Sequence, residues 1–129
     1  MKVLGLDYGL ARTGVAVSDP TGTVARPLAV VERAATTAGL ARLAALAREE
    51  GVERVVVGLP LTLAGAHGEQ AAETERFVTA LRRALECPVD TFDERFTTRL
   101  AEASPGAGAQ EDARAAAHLL ETYLEVISK

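Results

Sequence analysis

The chain opens with two short apolar runs whose polarity changes at fixed points. Val3, Leu4 and Leu6 lead to Asp7 and a turn holding Gly9, after which Thr13-Gly14-Val15-Ala16-Val17-Ser18 forms a second run. Short runs rich in β-branched residues and bounded by turn residues predict strands, here at residues 2–8 and 13–19. Asp19-Pro20-Thr21-Gly22 then suits a tight turn, because proline presets one dihedral and glycine takes the unusual one. A third strand follows at 23–32. Connections this short imply an antiparallel meander.

Beyond it the period changes from two to 3.6. Over residues 36–50, Leu40, Leu43, Ala44 and Ala47 share a helical face with Leu46 beside it, and Arg42, Arg48 and Glu49 lie outside. Gly51 closes that helix. Val52, Val55, Val56, Val57 and Leu59 form a nearly continuous apolar run, as expected of a parallel strand covered on both sides, and Pro60 ends it. A loop with Gly65 and Gly68 precedes a helix at 69–86 with Phe77, Val78, Leu81 and Leu85 inward. A short fifth strand runs from Pro88 to Phe92, a short helix from Thr97 to Ala103, a flexible stretch from Ser104 to Ala109, and a last helix over 111–127.

The element order is therefore β-β-β-α-β-α-β-α-α. It predicts an α/β protein: a mixed five-stranded sheet with helices packed on it, the topology of ribonuclease H-like folds, in a single domain spanning 1–129. Half of an actin-like ATPase shares that order.

Strand ends are where open α/β sheets gather their chemistry, and here they carry acids. Asp7 ends the first strand, where a desolvated carboxylate is costly unless paired, hydrogen-bonded or bound to metal. The bland alternative is a turn-capping Asp. Gly9 and Gly14 flank the turn where side chains would obstruct the backbone or an incoming ligand. Asp93-Glu94-Arg95 follows the fifth strand. On the last helix, advancing about 100° per residue from Asp112 places Ala115, Ala116, Leu119, Leu120, Tyr123 and Ile127 on its side. Arg114, His118, Glu121, Thr122 and Glu125 fall on the other. Asp112 thus heads the buried stripe, although an acid in a first turn is also favoured by the helix dipole. Converging carboxylates repel unless one is protonated or cations hold them. An all-oxygen set suits Mg²⁺ or Mn²⁺, and two such ions about 4 Å apart assist phosphodiester hydrolysis. No Ser-His-Asp or Cys-His arrangement competes, since His118 is placed outward and His67 sits in a loop.

Composition narrows the partners. A net charge of −4 argues against broad, non-specific nucleic-acid binding but not against nucleic-acid chemistry at a metal-loaded acidic site. The chain has no apolar run long enough to span a bilayer and no recognisable signal peptide. Its one cysteine, Cys87, reads as a small buried hydrophobe in a reducing, cytoplasmic setting.

Four blocks together resemble the YqgF/RuvX family: G-L-D-Y-G-x-x-R-x-G-V-A-V-S-D at 5–19, V-V-G-L-P-L-x-x-x-G-x-x-G at 56–68, D-E-R-F-T-T at 93–98, and D-x-x-A-A-x-x-L-L-x-x-Y-L at 112–124. The family is described as Holliday junction resolvases and as nucleases processing the 5′ end of pre-16S rRNA, with a ribonuclease H-like fold related to RuvC. The resemblance implies Asp7, Glu94 and Asp112 as the metal-binding catalytic acids, with pre-16S rRNA, DNA junctions or a ribosomal particle as partner and a monomer or homodimer as the working form. Arg12 and Arg95 are placed to hold phosphates bidentately, or else to pair with Asp19, Asp93 or another acid. Thr98 is a candidate phosphate donor, and Thr97 a helix cap. Three departures from the family pattern stand out. Ala11 replaces a common Lys, Thr62 a common Asn, and 104–111 carries no Lys or Arg. Each removes a substrate contact rather than a metal ligand.

Two other classes fit less well. An actin-like phosphotransferase lobe needs hydroxyls where Leu10 and Ala11 stand, and a second lobe that 129 residues do not supply. A non-catalytic RNA-binding protein would select positive charge rather than three acids.

Overall fold

The structure, a computed structural model, describes residues 1–60, 68–93 and 109–128. Strands β1 (Val3–Asp7), β2 (Arg12–Ser18), β3 (Ala25–Glu32), β4 (Arg54–Leu59) and β5 (Val89–Asp93) form one sheet in the order β3-β2-β1-β4-β5. β1, β2 and β3 are the antiparallel meander, whereas β4 is parallel to β1 and β5 parallel to β4. The parallel strands need crossovers, supplied by α1 (Thr37–Glu50) and α2 (Glu69–Ala84). The last helix, α3, runs from Ala109 to Ile127. The α/β, ribonuclease H-like architecture expected from the element order is therefore present. The short helix expected at 97–103 lies outside the described residues, as do residues 104–108, and Ala109 already belongs to α3.

Strand alternation divides the core in two. Leu4, Leu6, Val15, Val17, Val55 and Val57 face α1 and α2, where they meet Leu43, Leu46, Phe77, Val78 and Leu81. Val3, Ala16, Val56 and Phe92 face α3 and pack with Ala116, Leu119, Leu120, Tyr123 and Leu124. Phe92 and Tyr123 meet edge-on with ring centroids 5.6 Å apart. β4, buried along its length from Val55 to Leu59, is the doubly covered strand its apolar run predicts.

Element ends shifted for local reasons. α1 is capped by Thr36, whose Oγ1 accepts the Gly39 N–H at 3.1 Å, and it ends at Gly51 in the left-handed region. The Val52 N–H still bonds the Ala47 carbonyl, so β4 starts at Arg54 rather than Val52. α3 was expected to bury Ile127. Leu124 is instead its last buried residue, and Ile127 is exposed beyond it. His118, expected outward, is half-buried, and its Nε2 is shut from solvent without a hydrogen-bond partner among the described residues. Cys87 is partly buried against the core under α1 and α2, and burial pushes its thiol up.

The β2–β3 turn is organised by one carboxylate. Asp19 accepts the N–H groups of Thr21, Thr23 and Val24 and the Thr21 hydroxyl, and its carbonyl accepts the Gly22 N–H. β3 therefore starts at Ala25, past the residues tied to Asp19. These bonds, that of the Thr21 hydroxyl foremost, hold the Asp19 carboxyl well below the usual carboxylate range. A carboxyl depressed in the folded state stabilises above its unfolded pKa of about 4, and the contribution is lost as pH falls through the folded value. Asp19→Asn should lower Tm at neutral pH, and the gap to wild type should narrow steadily below about pH 4. A gap of constant size across an acid titration of Tm would assign the turn's stability to its backbone instead.

Candidate active site

The C-terminal ends of β1, β3, β4 and β5 and the start of β2 lie along one edge of the sheet. Asp7, the last residue of β1, is half-buried and pairs across the sheet with Gly14 of β2. Strand alternation puts Asp7 on the face covered by α3, with Val3 and Gly5.

Two glycines let α3 reach that face. A methyl group at Gly14 would fall on the carbonyl oxygen of Asp112, and one at Gly5 would stand 2.9 Å from the Leu120 Cβ. The first turn of α3 therefore rests on the backbone of β2 at the residue paired with Asp7. Asp7 and Asp112, distant in sequence, thus share one neighbour, Gly14.

Arg12 completes this corner. Its Nε lies 3.0 Å from the Asp112 Oδ2. That oxygen is buried, and the contact has the distance of an ion pair without the alignment of a hydrogen bond. Arg12 therefore pairs with an acid, and that acid is Asp112. The guanidinium remains partly open to solvent, with 43% of its side-chain surface exposed.

Gly9 lies in the turn between Asp7 and Arg12. Its N–H donates to the Thr13 Oγ1 at 3.3 Å, and its carbonyl accepts from the same hydroxyl at 3.4 Å, so its polar groups are committed within the turn. Tyr8 points to the other face and stacks on Phe77, centroids 4.3 Å apart, and burial raises its phenol pKa. Asp93 ends β5 beside Leu59 of β4 and is half-buried. Glu94, Arg95, Thr97 and Thr98 lie outside the described residues, as do Gly65 and His67, while Gly68 caps the start of α2 without a side-chain bond. Among the described residues no group of three acids, histidines or cysteines is close enough to hold a metal. Asp7 and Asp112 form the described part of the predicted acidic set.

Comparison with known proteins decides the class. The model of the RuvX Holliday junction resolvase family matches residues 1–126. The chain belongs to the RuvX family. Family membership makes it a hydrolase of the nuclease class, as its four sequence blocks imply. A relative from Anaeromyxobacter named "Putative pre-16S rRNA nuclease" is 43% identical over 97% of this chain and 97% of its own length. One of the same name from Chloroflexus aggregans is 51% identical over 78% of this chain and 70% of its own. Among solved structures, Thermus thermophilus RuvC bound to a Holliday junction substrate superposes with a TM-score of 0.63 at 18% identity, covering 99% of this chain and 96% of that one. At that identity the likeness establishes the shared ribonuclease H-like fold.

Gly14→Ala tests the seating of α3. The added methyl meets backbone rather than a flexible side-chain tip, so the helix start must move. Urea denaturation should show a loss of about 1–3 kcal/mol, and nuclease activity should fall further than stability requires. Wild-type stability with full activity would show that α3 does not depend on this contact.

Proposed function

We propose that this RuvX protein is a divalent-metal-dependent endonuclease of structured RNA, whose task is 5′-end processing of pre-16S rRNA in the cytoplasm, with 1–129 acting as one nuclease domain. The observation that carries the reading is that Asp7 and Asp112 both neighbour Gly14, on the sheet edge where β5, leading to Glu94, also ends. The names of the full-length relatives support the choice of substrate.

Asp7, Glu94 and Asp112 are the proposed holders of Mg²⁺ or Mn²⁺, as two ions. The residues described fit such a group: the donors are carboxylate oxygens, which hard cations prefer, and the Asp112 Oδ2 is a buried oxygen with no aligned hydrogen-bond donor. Bound there, the ions supply an activated water and positive charge against the leaving oxygen. The remaining work falls to the chain. α3 fixes Asp112 against β2, and β1 fixes Asp7. Arg12 offsets the Asp112 charge in the free protein and has a part-exposed side chain with which to meet a phosphate. Arg95 and Thr98 follow Glu94 in sequence and are proposed as further phosphate contacts. Arg12 also lessens the repulsion expected between Asp7 and Asp112 when no cation is present.

A DNA-junction resolvase is the rival favoured by the family description. Cutting a symmetric junction would require two such sites at fixed spacing, hence a stable dimer. The test is cleavage of a labelled pre-16S rRNA 5′ fragment and of a four-way DNA junction, each with Mg²⁺, Mn²⁺ or chelator, for wild type and Asp7→Asn. Metal-dependent cutting of the RNA, lost in Asp7→Asn, is the expected result. Cutting of the junction alone would give the function to the rival, and binding without cutting of either would leave an RNA-binding protein. Asp7→Asn should keep or raise Tm while abolishing the thermal shift given by Mn²⁺. A large fall in Tm would make Asp7 a turn-capping residue.

A further inference from the structure

The missing basic residues at position 11 and over 104–111 leave the question of what holds the flanks of a polyanion on an acidic protein. A groove of about 500 Å³ opens at the active-site edge and is lined by Arg12, Val30, Glu32, Ala38, Gly39 and Arg42 with Val31 beneath. β3 is an edge strand. Val31 faces the α1 core, so Val30 and Glu32 face the α3 side, as does Arg12, which sits opposite Glu32 in the β2–β3 register. The other wall belongs to α1. The groove therefore passes over the free end of β3, from the corner where Arg12 meets Asp112 to the outer surface of α1.

Of the two arginines lining it, Arg12 is paired with Asp112 and Arg42 keeps its charge. Arg42 is exposed, and neither it nor the neighbouring Arg33 forms an ion pair with another described residue. Arg33 lines a neighbouring cleft with Leu10 and Ala11, its N–H bonded to the Ala11 carbonyl at 2.9 Å and its carbonyl accepting from Thr36. Arg48, further along α1, lines a different cleft beside Gly51 and Cys87.

We propose that this groove is a track for a single RNA strand leaving the catalytic edge, with phosphates on Arg12 at one end and Arg42 at the other. The inference rests on the RNA nuclease reading above and adds the surface that grips the substrate away from the cut. Glu32, the one acid in the groove, opposes binding and sets its strength. Two arginines against one acid on a protein of net charge −4 make this edge complementary to a phosphodiester chain.

The test is anisotropy of a labelled single-stranded RNA in EDTA across a salt series, with KM and kcat of cleavage measured separately. Each phosphate contact on a single strand contributes about 0.7 to the slope of log K against log salt. Arg42→Ala should lower the slope by about that amount, weaken binding several-fold and raise KM with kcat kept. Glu32→Gln should tighten binding, and Arg48→Ala should match wild type. An Arg42→Ala protein that behaves like Arg48→Ala, or a Glu32→Gln protein that binds no tighter, overturns the proposal. Because binding is read without metal, RNA gripped through Arg42 but never cut would sink the nuclease reading alone. RNA cut normally by Arg42→Ala, with KM unchanged, would sink the groove alone. A wild-type protein that binds no RNA sinks both.

Discussion

The backbone-on-backbone seating of α3 at Gly14 is the constraint on which the rest depends. An α-helix ordinarily stands off a sheet by the thickness of two side chains. Here Gly5, Gly14 and Ala16 present almost no side chain toward α3, and the helix answers with Ala113, Ala116 and Ala117. The approach is closest at the helix start, where the Asp112 carbonyl lies over Gly14. It loosens toward the other end, where Leu120, Tyr123 and Leu124 fill the space. A side chain at Gly14 would lift Asp112 away from the residue paired with Asp7. Small residues on this face cost buried apolar area, at about 25 cal/mol per Å². The larger Leu4, Leu6, Val15 and Val17 on the opposite face carry more of the cohesion.

That division of labour was present in the sequence as a large–small alternation: Leu4-Gly5-Leu6, then Val15-Ala16-Val17 after Gly14. Reading the runs as apolar predicted the strands but passed over what the small members were for. Gly14 flanks the turn and lies within β2, as expected, but its purpose is set by a helix almost a hundred positions later in the chain. Local pattern fixes elements because period and turn chemistry are local. It does not reveal which face a distant helix will choose, and that choice determined the role of Gly14 and the depth of His118. Asp7 and Asp112 stand out in the sequence because each breaks a pattern in place: an acid closing a buried strand, and an acid heading a buried stripe.

Arg12 was harder to read for a related reason. The sequence offered it a phosphate or an unspecified acid, and the partner turned out to be one of the acids of the candidate site. Both descriptions follow from one electrostatic requirement. Carboxylates gathered at one sheet edge repel in the free protein and need positive charge from somewhere. An arginine is suited to that task because its guanidinium stays charged in any surroundings and has donors left over when one is engaged. With a part-exposed side chain and an ion pair that lacks hydrogen-bond alignment, Arg12 holds Asp112 only loosely.

An acidic protein that handles nucleic acid must place its few unpaired cations where the strand will pass. Arg26 and Arg54 are tied to Glu50 and Asp90. Arg82 spends its donors on the Val89 carbonyl, joining α2 to β5. These cations maintain the fold. Arg33 and Arg42 have no such duty among the described residues, and both stand near the β3 edge of the sheet, at the end where Asp7 and Asp112 share Gly14 as a neighbour. Net charge is a poor guide to such a molecule, because a polyanion responds to the local field along its path rather than to the total. Near the acids the field would be reversed by bound cations, and over the β3 edge the exposed Arg42 lines the groove. The acidic composition and the nucleic-acid role are then consistent, provided the strand enters and leaves over the β3 edge.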